Sequence, residues 1–162
     1  MPLLTAVLHT NNDGLRLGRC LETLYPCDHI LIIDHGSHDD TVRIAREHGA
    51  RVIAATPDTP HHHNAQSAAP GWILALAPRE SLTESLAASL FDLREKWTIA
   101  GNIPAPAYSM FVREEAANGW TEVPAVETRL VPYTWSRWNG SLPVGEASAL
   151  VLEGELLRFT FP

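Results

Sequence analysis

The chain has 162 residues, 45% of them hydrophobic, which suits one domain with a core of its own and needs no second. Its formal charge of −7, from 12 Lys and Arg against 19 Asp and Glu, excludes a nonspecific nucleic-acid binder, whose basic surface must displace counterions. No stretch approaches the roughly 20 apolar residues of a membrane span.

Leu3–His9 is apolar throughout and fits a strand buried on both faces. It lacks the basic region and cleavage site of a secretory leader, which favours a cytoplasmic protein and leaves open a peripheral attachment to the inner face of a membrane. Thr10 to Gly14 reads as a polar turn, with Asn12 or Asp13 as helix cap. Leu15, Leu17, Cys20, Leu21 and Leu24 lay an apolar stripe along a helix over Gly14–Tyr25, which Pro26 stops. Cys20 and Cys27 match no ligand spacing and read as free thiols of a reducing compartment.

Strand and helix then repeat. Ile30–Ile33 is a buried strand ended by Asp34, which stands past the strand and outside the core. His35-Gly36-Ser37-His38 is a tight turn, and Ser37 or Asp39 caps a helix over Asp39–His48 with Gly49 as its stop. Arg51–Ala55 is a third strand. This alternation predicts right-handed crossovers, a parallel sheet and a ligand at the carboxyl ends of its strands. In the plainer reading Asp34 is a structural turn cap.

Thr56–Gly71 is a Pro-rich loop carrying His61, His62 and His63, with a short helical turn over Asn64–Ala69. Consecutive histidines have no preformed ligand geometry, so a metal-binding loop stands only as an alternative function. Trp72–Leu76 is again a strand. Ser81 and Glu84 form a capping box for an amphipathic helix carrying Leu82, Leu86, Leu90 and Leu93 and ending near Trp97. Beyond it the pattern turns to short strands: Ala107–Val112, Val126–Val131, Trp135–Trp138, Ser148–Leu152 and Leu156–Phe161. Hairpin turns are expected at Asn139-Gly140 and Glu153-Gly154. Trp120, Trp135 and Trp138 suit sugar stacking or, more often, core packing. The chain is thus read as a single domain, residues 1–97 forming a nucleotide-binding α/β half and residues 98–162 a β-rich half.

The ordered segments TNND, IIDHGSHDDTV, AREHGARV and GWILAL resemble the family 2 glycosyltransferases of GT-A fold, most closely the small branch that builds lipopolysaccharide core. Thr10, Asn12, Asp34, Gly36, Ser37, Asp39, Thr41, Gly49, Trp72 and Glu80 are among the matching positions; the likeness covers Leu3–Glu80 and continues more weakly through Glu127–Trp138 and LLRFTF. The resemblance implies a mainly parallel central sheet flanked by helices, with antiparallel additions in the last third. It also implies that Asp34, with Thr10, Asn12, Gly36 and Ser37, binds the base and ribose of a nucleotide sugar.

The departures from the family pattern are specific. Ala77, Pro78 and Arg79 replace its Asp-x-Asp, so the divalent metal site is expected to be lost and no cofactor is expected. Arg79 is a candidate to bind the diphosphate in its place. His63-Asn64 stands where the family has Arg-Asn, and Pro143 and Val144 fall on its His-Glu, leaving Glu146 or Glu127 as candidate catalytic base. The sequence therefore reads as a glycosyltransferase-like domain with nucleotide-sugar recognition partly retained and metal-dependent transfer lost. Such a domain acts as regulator or assembly partner, through a protein partner or a second copy. The alternative is a working, metal-independent transferase.

Overall fold

The structure, a computed structural model, describes residues 2–58, 68 and 70–161. His61, His62, His63 and Asn64 lie outside these residues, and the helical turn expected over Asn64–Ala69 rests on positions that do as well.

One sheet runs through both halves of the chain. Its strands are β1 (Leu3–Thr10), β2 (His29–Asp34), β3 (Arg51–Ala54), β4 (Gly71–Leu76), β5 (Glu80–Leu82), β6 (Tyr108–Ala116), β8 (Ala125–Pro132) and β11 (Leu150–Arg158), in the spatial order β3-β2-β1-β4-β8-β6-β11-β5, with β7 (Gly119–Trp120) folded back on β6. The first four are parallel, as the alternation predicts. β8 joins β4 antiparallel and β6 joins β8 antiparallel, but β11 lies parallel to β6. Separately, β9 (Trp138–Asn139) and β10 (Leu142–Pro143) form a short hairpin. The helices are α1 (Leu17–Glu22), α2 (Thr41–Glu47) and α3 (Glu84–Trp97).

The apolar run of β1 divides between two cores. Leu4, Ala6 and Leu8 pack with Leu17, Cys20 and Leu21 of α1 and Leu86, Leu90 and Leu93 of α3, while Val7 joins Leu31, Ile33, Ile73, Val131 and Trp135 on the other face. Burying each such Leu is worth about 1.5–3 kcal/mol, so continuous apolar strands and amphipathic helices settle the layering. Trp97 stacks on Trp72 at 4.9 Å, with Tyr108 tilted against both.

Several local expectations are corrected. α1 is shorter than Gly14–Tyr25, since residues 14–16 form a turn, and Arg16, not Asn12 or Asp13, holds the N-cap position without a side-chain cap bond. Ser81 does not cap α3. It lies in β5, a strand the sequence reading missed, and Thr83 is the cap, its hydroxyl accepting from the Leu86 N–H at 3.4 Å. The segments Ser148–Leu152 and Leu156–Phe161 are not a hairpin but the single strand β11, irregular between Val151 and Glu155. Gly154 explains this: its φ is 98°, and a Cβ there would stand 2.3 Å from the Leu86 nitrogen, so the strand bends to admit the start of α3. Trp135 precedes the β9–β10 hairpin, which turns at Gly140.

Candidate functional site

Parallel strands place their carboxyl ends together, and Thr10 and Asp34 are register partners at the ends of β1 and β2. Asp34 is buried at 8% exposure, with its oxygens turned to local donors. The Thr10 hydroxyl donates to Oδ1 at 2.7 Å, the Ser37 hydroxyl to the same oxygen at 2.5 Å, and the Ser37 N–H to Oδ2 at 2.9 Å. Burial opposes the charge, but these hydrogen bonds from Ser37 and Thr10 outweigh it and hold the carboxyl below its ordinary value. Gly36, at φ 80°, makes the turn that brings Ser37 back to the strand end.

The two turns are stitched into one wall. Asn12, itself at φ 55°, donates its N–H to the Ser37 hydroxyl at 2.9 Å and accepts from the His38 N–H at 2.8 Å. The Asp13 N–H donates to the Thr41 hydroxyl at 2.8 Å and the Gly14 N–H to Asp39 at 2.9 Å. His9 and His35 share a ring-nitrogen hydrogen bond of 2.8 Å beside Asp34. Thr10, Asn12, Asp34, Gly36 and Ser37 are thus gathered at one place.

Arg79 stands in the turn between β4 and β5, one residue before Glu80. It is half-buried, and its side chain makes no hydrogen bond or ion pair among the described residues. Glu80 beside it is fully buried. Arg129 grips Glu80 with two bonds of 2.7 Å, Arg158 donates to it at 3.1 Å, and the Ala77 N–H donates at 2.7 Å. Burial would raise the Glu80 pKa, but the Arg129 guanidinium prevails and keeps it below the usual carboxylate range. A divalent cation does not fit here: Ala77, Pro78 and Arg79 offer no carboxylate, and both Glu80 oxygens already face guanidinium.

The candidate bases are not brought together. Glu127 and Thr128 are successive residues of β8 and point to opposite faces, Glu127 beside Met110 and Thr128 beside Ser109. Glu127 accepts from Arg129 at 3.0 Å and from Arg158 at 3.1 Å, within the same network as Glu80. Glu146 sits on the Thr128 side, its N–H donating to the Thr128 hydroxyl at 3.0 Å. Its carboxylate pairs with Arg137 and accepts from the Ser148 hydroxyl at 3.0 Å, and these contacts hold its pKa low. A depressed pKa makes a weak base in this state.

The tryptophans are packed or engaged: the Trp135 indole N–H donates to the Arg137 carbonyl at 2.8 Å, the Trp138 N–H to the Trp135 carbonyl at 2.8 Å, and Trp120 meets Phe159 edge-on. Cys20 and Cys27 are free, and burial raises both thiols, Cys27 to about 12, so neither is nucleophilic. A cavity of about 540 Å³, lined by Tyr25, Asp28, His29, Gly49 and Arg51 among others, opens at the opposite, amino end of β2 and β3. Sequence reading missed Arg129 and Arg158. A signal for the first was available, since an Arg inside the apolar strand Leu130-Val131 must be paired if buried.

No family model matches the sequence. Among solved structures, the chain is similar to S. aureus TarS (TM-score 0.54, 12% identity, covering 81% of this chain and 28% of that one). It is also similar to a mycobacterial protein (TM-score 0.51, 18% identity, 70% and 42%). A third match is S. aureus TarS 1-349 in complex with UDP (TM-score 0.50, 14% identity, 76% and 38%). The fold is that of the GT-A glycosyltransferases. The chain spans less than half the length of these neighbours. Among its described residues no helix is long and apolar enough to cross a membrane.

Proposed function

We propose that this GT-A domain binds the nucleoside diphosphate part of a nucleotide sugar at the carboxyl ends of β1, β2 and β4, and that it has lost metal-dependent sugar transfer. The observation that carries the reading is the ionised Asp34 carboxylate, fixed between the β1 and β2 turns with Thr10, Asn12 and Ser37 around it. A fixed carboxylate accepts from the N–H of a uracil-type base, and the Gly36 backbone lets a base approach. The ordered motifs, which resemble the lipopolysaccharide-core branch of family 2, support the same reading. A domain of this kind serves as a regulator or assembly partner for another protein or a second copy.

The loss of metal is supported by the turn itself: Arg79 adds a positive charge where the family places two carboxylates, and Glu80 is closed off by Arg129 and Arg158. Arg79, without a partner among the described residues, also favours a second reading, metal-independent transfer. In that reaction Glu146, released from Arg137, takes the acceptor hydroxyl proton. The acceptor oxygen then bonds to the sugar's anomeric carbon, and the carbon–oxygen bond to the diphosphate breaks with its electron pair left on the diphosphate.

Thermal-shift measurements with uridine, UDP and UDP-sugars test the binding reading, because a ligand that binds only the folded state raises Tm. The expected outcome is a rise with uridine nucleotides that is lost in Asp34→Asn. No rise with any nucleotide would sink the reading and leave Asp34 a structural turn cap.

A further inference from the structure

We propose that Arg19 of α1 acts with Arg79 as a metal-free subsite for the diphosphate of a nucleoside diphosphate, with Phe159 as the platform that aims it. The inference rests on the nucleotide-binding reading above. Arg19 is half-buried, and its Nε and Nη2 atoms are shut off from solvent with no hydrogen-bond partner among the described residues. Guanidinium N–H groups so placed are costly unless an acceptor arrives, and the acceptor geometry a guanidinium matches best is a carboxylate or phosphate.

The position is specific. The Arg19 guanidinium carbon stands 3.7 Å from the centre of the Phe159 ring, which fixes the plane of the fork. The Phe159 N–H donates to the Arg79 carbonyl at 2.8 Å, so one aromatic residue joins the two arginines. Trp120 braces Phe159 from its edge at 5.1 Å. The thiol of Cys20, next to Arg19 in α1, meets the Ala77 carbonyl at 4.0 Å, which sets α1 against the turn that lacks the carboxylate motif.

Among the described residues, no carboxylate forms an ion pair with either arginine. Glu80 and Glu127 belong to Arg129 and Arg158, and Asp13 stands 3.5 Å from Arg16. Two guanidiniums carry the +2 charge that a divalent cation would supply, and a guanidinium binds phosphate oxygens directly.

Calorimetry in EDTA with uridine, UDP and pyrophosphate tests this on the full chain. The unmodified protein is expected to bind UDP at least about tenfold more tightly than uridine, with pyrophosphate competing against UDP. Arg19→Met is expected to erase that advantage while leaving uridine affinity unchanged, and Arg19→Lys to restore part of it, since it keeps the charge without the fork. An unchanged UDP-to-uridine ratio in Arg19→Met, or an advantage that appears only with manganese, overturns the subsite but not nucleotide binding. If neither uridine nor UDP binds the unmodified protein, the nucleotide reading falls and the subsite with it. Should the Arg19 variants misfold, the pyrophosphate competition decides alone, and its absence overturns the proposal.

Discussion

Asp34 and Glu80 are both ionised carboxylates in buried positions, but they are held differently. Asp34 accepts from neutral hydroxyls and a backbone N–H, whereas Glu80 is matched by charge. The sequence placed Asp34 outside the core; the fold buries it, so Asp34→Ala would strand the Thr10 and Ser37 donors at a cost of about 1–3 kcal/mol. Asp34→Asn keeps the shape and is expected to weaken uridine binding at least about tenfold, roughly the worth of one charge-assisted hydrogen bond, with only a small fall in Tm. Glu80→Gln is expected to destabilise by up to about 3–5 kcal/mol in a denaturant titration, because it leaves the buried Arg129 only the more exposed Glu127 as countercharge. The pH dependence follows from the same pair. The Glu80 pKa in the folded protein lies below its ordinary 4.5, so its stabilisation is complete above that value and is lost as pH falls through the folded value. Unfolding free energy should therefore drop steeply on acidification below about pH 4.5 in the unmodified protein, and less steeply in Glu80→Gln.

Among elements, the parallel strands and their crossover helices were legible because each carries an unbroken apolar run or stripe. Failures occurred where a tertiary contact outweighed local pattern. Ser81 and Glu84 match a capping box, yet Glu80–Leu82 pairs with β11 and shifts the cap to Thr83. Thr83→Ala is therefore expected to cost about 1 kcal/mol, while Ser81→Ala, which removes a buried hydroxyl without a partner among the described residues, should be neutral or mildly stabilising by thermal denaturation. Glu153-Gly154 matches a hairpin, yet the glycine serves a bend against α3. Gly154→Ala is expected to destabilise by roughly 1–3 kcal/mol from backbone strain alone, with the clash against Leu86 in addition.

At the scale of the whole molecule, the fold was read correctly because several ordered motifs agree with the strand and helix pattern. The candidate site was legible on its β1–β2 side, where its residues are close in sequence, and at Arg79, which the departure from the family motif marks. Arg19, Arg129 and Arg158 come to the β4 turn from α1, β8 and β11, and no local spacing announces such a meeting. Manganese is expected to leave UDP affinity unchanged in calorimetry; tighter binding with the metal, lost in Glu80→Gln, would show that Glu80 can leave its arginines and ligate a cation.

The pairing of β5 with β11 bears on how the protein is made. As the chain emerges from the ribosome, Glu80 is present long before Arg129, and Arg158 comes later still, so the carboxylate that tethers the Ala77 N–H lacks its first countercharge until β8 is made and its second until β11 is. Nascent chains ending before β11 would leave the β4 turn unset even with β1 to β4 assembled. On the proposed reading of the site, completion of the sheet and readiness to bind the diphosphate would be one event in time.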